Sequence, residues 1–195
     1  MNKYVYFPTY VYQQEKPEWI DKLRGVFDKY SSNLDKDNGL LVNQTNNMAG
    51  DEALCFFEKY LEYTAFMVLQ DQGYSVGEYD FYLSAIWGHF IKPFGHHITH
   101  IHRESSLCGF YFLDTPDRGA YPVFDDPRPA KISLDLDSQP KEEITSATQS
   151  IHFDKIKSGT ILMTNSWLPH RFEFNQGKSA TTFLHFIVSQ RKRGV

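Results

Sequence analysis

The stretch Gly95-His96-His97-Ile98-Thr99-His100-Ile101-His102-Arg103-Glu104-Ser105-Ser106-Leu107-Cys108-Gly109-Phe110-Tyr111-Phe112-Leu113 decides how the chain reads, and four of the eight histidines in the protein fall at its start. In an extended strand alternate side chains share a face, so His100 and His102 point the same way, close enough for their imidazole nitrogens to grip one ion. A third histidine, His170, ends the segment Asn165-Ser166-Trp167-Leu168-Pro169-His170 far along the chain. Two histidines from one strand and one from a distant strand make an open metal site inside a β-barrel. The second half of the opening stretch, from 107 to 113, reads as a strand of the barrel itself.

Outward from there the pattern stays short and period-two. Runs at 79–87, 90–91, 98–102, 107–113, 123–124, 132–134, 151–153, 160–163, 171–174 and 181–188 are separated by turn residues, which predicts about eight to ten strands and a sandwich or barrel. The proline-rich, charged segment 114–150 reads as a binding loop near the mouth, anchored at Asp126-Pro127-Arg128 with Arg128 facing the pocket. Before the strands lie two helices. Trp19, Ile20, Leu23, Val26, Phe27 and Tyr30 recur at helical spacing after Pro17, a first-turn proline. Asp51 caps a second helix whose face carries Leu54, Phe57, Leu61, Ala65, Val68 and Leu69 until Gly73. An edge strand is expected over 4–12 and a short one near 40–42. The class is therefore α+β: a jelly-roll core with the N-terminal helices packed on one sheet.

A chain of 195 residues with 41% hydrophobic and 16% aromatic residues can bury one substantial core. One domain, 1–195, is expected, with residues 1–78 mostly helical and packed on a core of 79–190. Formal charge is −4 and the basic residues are scattered, so there is no footprint for nucleic acid. No apolar run is long enough for a membrane span and the start lacks a signal-peptide core, which predicts a cytoplasmic protein. Cys55 and Cys108 form no spaced metal or redox motif and read as buried reduced thiols.

The ordered set Gly95, His97, His100-x-His102, Ser105-x-Leu107-x-Gly109-x-Tyr111-x-Leu113, Asp126-Pro127-Arg128, Gly159-Thr160-Ile161-Leu162 and Ser166-Trp167-Leu168-Pro169-His170 resembles the iron(II)/2-oxoglutarate-dependent oxygenases related to the prolyl hydroxylases. The resemblance covers about 84–188. It implies a double-stranded β-helix, Fe(II) as metal, 2-oxoglutarate and O₂ as cosubstrates, and a dioxygenase that hydroxylates an unidentified substrate. It places the metal ligands at His100, His102 and His170. Such a site takes imidazoles and usually one carboxylate on one face, leaving adjacent positions free for an oxo acid and O₂.

The chain departs from that pattern twice. Relatives commonly carry His-x-Asp or His-x-Glu where this chain has His100-Ile101-His102; His102 stands at the family position, and Glu104 is the alternative carboxylate ligand. Relatives also place an Arg on the last core strand to hold the far carboxylate of 2-oxoglutarate. Here Thr181 takes that place, and Lys178 and Arg128 are the candidate cations, with Arg171 third and expected to point away from His170. Two further function readings follow from these gaps: a three-histidine, cupin-like metal dioxygenase that needs no oxo acid, and a catalytically silent metal- or ligand-binding module. A single histidine in a strand is more often structural than a ligand, so His89, His152 and His185 read as core or surface residues, and His96 and His97 as neighbours of the site. Trp167 reads as a packing residue bracing the turn before His170.

Overall fold

The strands alternate between two facing sheets along the chain, and that alternation is the fold. A computed structural model describes residues 1–2, 7–32, 34, 39–128, 144–145 and 147–194. Among these, β1 (Val11–Glu15) precedes α1 (Ile20–Ser31); β2 (Val42–Gln44) precedes α2 (Cys55–Asp71). Eight strands follow: β3 (Tyr79–Ile91), β4 (His97–His100), β5 (Leu107–Asp114), β6 (Pro122–Asp125), β7 (Ser150–His152), β8 (Thr160–Asn165), β9 (His170–Phe172) and β10 (Thr181–Lys192). The larger sheet has the order β1-β8-β5-β10-β3-β2 and the smaller β4-β9-β6-β7, with every pairing antiparallel. From β3 onward the chain winds from one sheet to the other and back, giving a double-stranded β-helix in an α+β fold, as expected.

Period two decides which side each residue serves. On β10, Leu184, Phe186 and Val188 turn outward to the helices while Phe183 and His185 turn inward between the sheets. The outer layer packs α1 through Leu23, Val26 and Phe27 and α2 through Phe57, Leu61, Ala65 and Leu69 onto Leu83, Ile86, Tyr111, Ile161 and Phe186. Phe57, fully buried, meets Tyr111 and Phe186 edge-on at 5.9 and 5.8 Å. Each such ring contributes about 1.5–3 kcal/mol by leaving water. The inner layer is aromatic: Phe110, Phe112 and Phe183 from the larger sheet face Phe124 and Phe172 from the smaller, with Phe172 stacked on Phe183 at 4.3 Å. On the outer side Gly109 makes room for Phe186, since a Cβ there would stand 2.1 Å from the Leu162 carbonyl oxygen and 2.4 Å from the Phe186 ring.

The helices begin and end where the sequence places them. Pro17 opens a 3-10 turn (Pro17–Trp19) that leads into α1, and the Asp51 side chain accepts from the Ala53 N–H ahead of α2. Gly73, at φ +90°, takes the left-handed conformation past α2 that side chains resist. Cys108 is buried within β5 as expected, whereas Cys55 is exposed, because it opens α2 on the side turned away from the sheet. The edge strand lies at Val11–Glu15 rather than over 4–12; residues 4–6 are outside the described set. It is polar because it pairs with β8 through backbone and leaves Gln13, Gln14 and Glu15 exposed. The two runs expected at 79–87 and 90–91 are one strand, β3, continuous through Gly88 because the Phe27 ring occupies the space a Cβ would need. The strand expected at 132–134 and the middle of the loop expected over 114–150 lie outside the described residues, and the described part of that segment carries β6. No described helix is long and apolar enough to cross a membrane.

Candidate metal centre

Pairing register brings the first two histidines together. His100 on β4 is the direct antiparallel partner of His170 on β9, so both side chains leave the smaller sheet on one face, with ring centroids 4.4 Å apart. His102 arrives differently from the strand neighbour expected. β4 has an irregular register between His97 and His100 and ends at His100, so His102 lies two residues past it. Its backbone N–H donates to the Ser166 carbonyl at 2.9 Å, which ties it to the turn leading into β9. Its ring stands 5.0 Å from that of His100 and 5.2 Å from that of His170. One ligand nitrogen from each of the three lies within 4.8 Å of the others.

Hydrogen bonds fix which nitrogen faces inward. His100 Nδ1 is 2.9 Å from the Ile98 carbonyl oxygen and His170 Nδ1 is 2.9 Å from that of Leu168. A carbonyl only accepts, so each Nδ1 carries the proton and each Nε2 keeps its lone pair for the centre. His170 Nε2 and His102 Nε2 are buried with no hydrogen-bond partner. Burial, with the neighbouring rings adding to it, pushes the imidazole of His170 down to about 3 and that of His102 to about 4, so both are neutral at pH 7. Three imidazoles converging in this way are a donor set for a first-row divalent metal such as Fe(II).

Glu104 is exposed, in a left-handed turn at φ +62°, and is not in the ligand group; among the described residues His100, His102 and His170 form the one triple of potential ligands within reach of each other. Trp167 is 43% exposed rather than packed. Of the residues considered for an oxo acid, Thr181 is fully buried and its Oγ1 accepts from the Ala120 N–H at 2.9 Å. Lys178 is exposed in the turn built around Asn175. Arg128 is held by Asp126 through Nε at 2.9 Å and Nη2 at 2.7 Å, and Arg171 is paired with Asp125. The structure thus brings together the three histidines, while Thr181, Arg128 and Arg171 are engaged by Ala120, Asp126 and Asp125 and Lys178 is exposed.

Two residues read from sequence as core or surface face the same centre. His185 on β10 lies 4.8 Å from His102 and 6.1 Å from His170 by ring centroid, and His89 on β3 lies 5.5 Å from His185. Burial drives His89 down to about 3 and His185 well below the usual histidine value, so both are neutral as well. His97 adds a sixth ring, 4.6 Å from His100, with Nδ1 3.2 Å from the Ile98 carbonyl. The signal for His185 is present in the sequence: it shares the inward period-two face of β10 with Thr181 and Phe183. His152, by contrast, is a surface residue paired with Glu173 at 2.9 Å.

No curated protein sequence matches the chain. Among solved structures, a prolyl-4-hydroxylase from Pseudomonas putida superposes with a TM-score of 0.60 at 12% identity, over 94% of this chain and 93% of its own. AviO1 from Streptomyces viridochromogenes Tue57 gives 0.61 at 11% identity, over 92% and 89%. The viral collagen prolyl hydroxylase of Paramecium Bursaria Chlorella virus-1 gives 0.57 at 9% identity, over 92% and 95%. These likenesses establish the shared fold. The profile of the family described as "Putative 2OG-Fe(II) oxygenase" matches residues 85–185, which span the strands carrying the histidine centre and more than half of the chain, and the chain therefore belongs to the 2OG-Fe(II) oxygenase family.

Proposed function

We propose that the protein is an Fe(II)- and 2-oxoglutarate-dependent dioxygenase that hydroxylates a substrate still to be identified, with His100, His102 and His170 as the metal ligands. The observation that supports this most is the convergence of three imidazole nitrogens within 4.8 Å at the mouth of a double-stranded β-helix. Bound iron would supply the activation of O₂ that makes a C–H bond reactive. The protein's own contribution is positional. The Ile98 and Leu168 carbonyls hold two rings in the ligand tautomer, the Ser166 carbonyl fixes the backbone of the third, and Phe110, Phe124 and Phe172 keep water from the inner side. With three neutral ligands the centre keeps the full charge of the metal, which favours an anionic chelator in the open positions.

The all-imidazole ligand set also favours a second reading, a three-histidine metal dioxygenase that uses no oxo acid. Anaerobic Fe(II) titration with and without 2-oxoglutarate separates the two. A visible charge-transfer band that requires both iron and the oxo acid is expected; iron binding at one equivalent with no such band would establish the second reading instead.

A further inference from the structure

The wall facing the three ligands carries two buried histidines that bond to nothing. His185 is 5% exposed and its Nε2 has no partner; His89 is 4% exposed and neither of its ring nitrogens has one. Buried polar groups in folded proteins are almost always hydrogen-bonded, and a cluster of orphans on one wall marks a place where a ligand supplies the partners. The surroundings say how far such a ligand extends. His89 is stacked on Phe183 at 5.1 Å, Phe183 on Phe172 at 4.3 Å, and Phe110 lies 4.9 Å from His185. These rings close the barrel beyond the two imidazoles, and deeper along β10 the Thr181 hydroxyl is already engaged by Ala120. Behind the three histidines the surround is therefore apolar, and the unpartnered nitrogens of His185 and His89 are the polar groups set in it.

A neutral imidazole offers one N–H donor and one lone pair, and two of them 5.5 Å apart by ring centroid offer two donors to a group with two acceptor oxygens. We infer that His185 and His89 receive the free carboxylate of a dicarboxylic oxo acid held at the metal, a task that relatives give to a cation on the last core strand and that Thr181 cannot perform here. This rests on the function proposed above. Recognition by N–H donors fixed in an apolar surround depends on hydrogen-bond geometry, so another donor of similar reach can substitute and a phenyl ring cannot.

The test is anaerobic titration of the Fe(II)-loaded protein with 2-oxoglutarate and, separately, with pyruvate, which has the same chelating end and no second carboxylate. Parent, His185→Phe, His89→Phe, His185→Asn and His89→Gln are compared, with iron stoichiometry and circular dichroism measured on each. Iron binding should be the same in all five, because neither histidine is in the ligand triple. The phenylalanine variants should need at least about tenfold more 2-oxoglutarate for half-maximal band intensity, and the amide variants within roughly threefold of the parent. Pyruvate affinity should not change in any of them. Phenylalanine variants that keep parental 2-oxoglutarate affinity, that lose pyruvate equally, or that lose iron would each overturn the assignment. A parent that binds iron and shows no band with either acid overturns the oxo-acid function itself, which is a different result from a parental band that the variants retain.

Discussion

Acidifying the metal-free protein from about pH 7 to about pH 5.5 should remove about 4 kcal/mol of its stability, an unusually steep loss for so mild a change. His89, His170 and His185 are 4%, 0% and 5% exposed, and burial drives His89 and His170 down to about 3 and His185 well below its usual value. In the unfolded chain each takes a proton near the ordinary value of about 6.5. The unfolded state therefore binds more protons below that value, stability rises with pH, and the loss begins near pH 6.5 and continues toward the folded values. Each group that stays neutral when folded and titrates normally when unfolded contributes about 1 kcal/mol or slightly more across this interval. These three give about 4 kcal/mol, to which the less buried His102, lowered to about 4, adds, against a typical total of about 5–15 kcal/mol. Urea unfolding in a chelator, followed by circular dichroism at several pH values, measures it directly. His89→Gln should reduce the pH slope by about a third. A change below about 1 kcal/mol across the interval would mean that the interior admits water and these rings protonate in the folded state, which would refute the dry histidine wall.

Three further outcomes are expected. His100→Ala and His170→Ala should each lower Fe(II) affinity by about a hundredfold or more while the far-ultraviolet spectrum keeps its strand signal; full metal occupancy in either variant would place the site elsewhere. His102→Asp puts a carboxylate where the family commonly has one and should preserve or raise Fe(II) affinity, read by competitive titration, whereas a loss would show that the position beyond β4 cannot deliver a shorter ligand. Gly109→Ala should cost about 3 kcal/mol or more, because the new methyl meets the Leu162 carbonyl, a backbone atom that cannot swing aside; an unchanged melting temperature would contradict that packing.

Much of this architecture is legible in the sequence because burial on two faces writes a clear code. Leu107 to Leu113 and Thr181 to Val188 are buried throughout and served by two different layers, so their apolar runs announce central strands. The candidate metal centre is legible for a related reason, since the cluster His96, His97, His100 and His102 in one short stretch has few purposes besides holding an ion. What stays hidden depends on register. The position of His102 turns on an irregularity in β4 that no local pattern announces. His89 and His185 are single histidines in strands, and only the pairing of β3 with β10 sets them on one wall. β1 falls later than its aromatic signal suggests because an edge strand held by its backbone needs no apolar side chains.

The place of β10 in the larger sheet bears on how the site comes into being. It lies between β5 and β3, so residues 181–192 join two halves of a sheet whose other strands all precede them in the chain. β1 likewise waits for β8, about 150 residues later in sequence. Most sheet contacts thus span long separations, which predicts slow folding with a large loop-closure term. His100, His102 and His170 all emerge before β10, while the wall bearing His185 arrives with it. A nascent chain stalled ahead of residue 181 would hold every proposed metal ligand and yet lack the surface that would enclose the ion, so the order of synthesis separates the means to capture an ion from the means to shelter it.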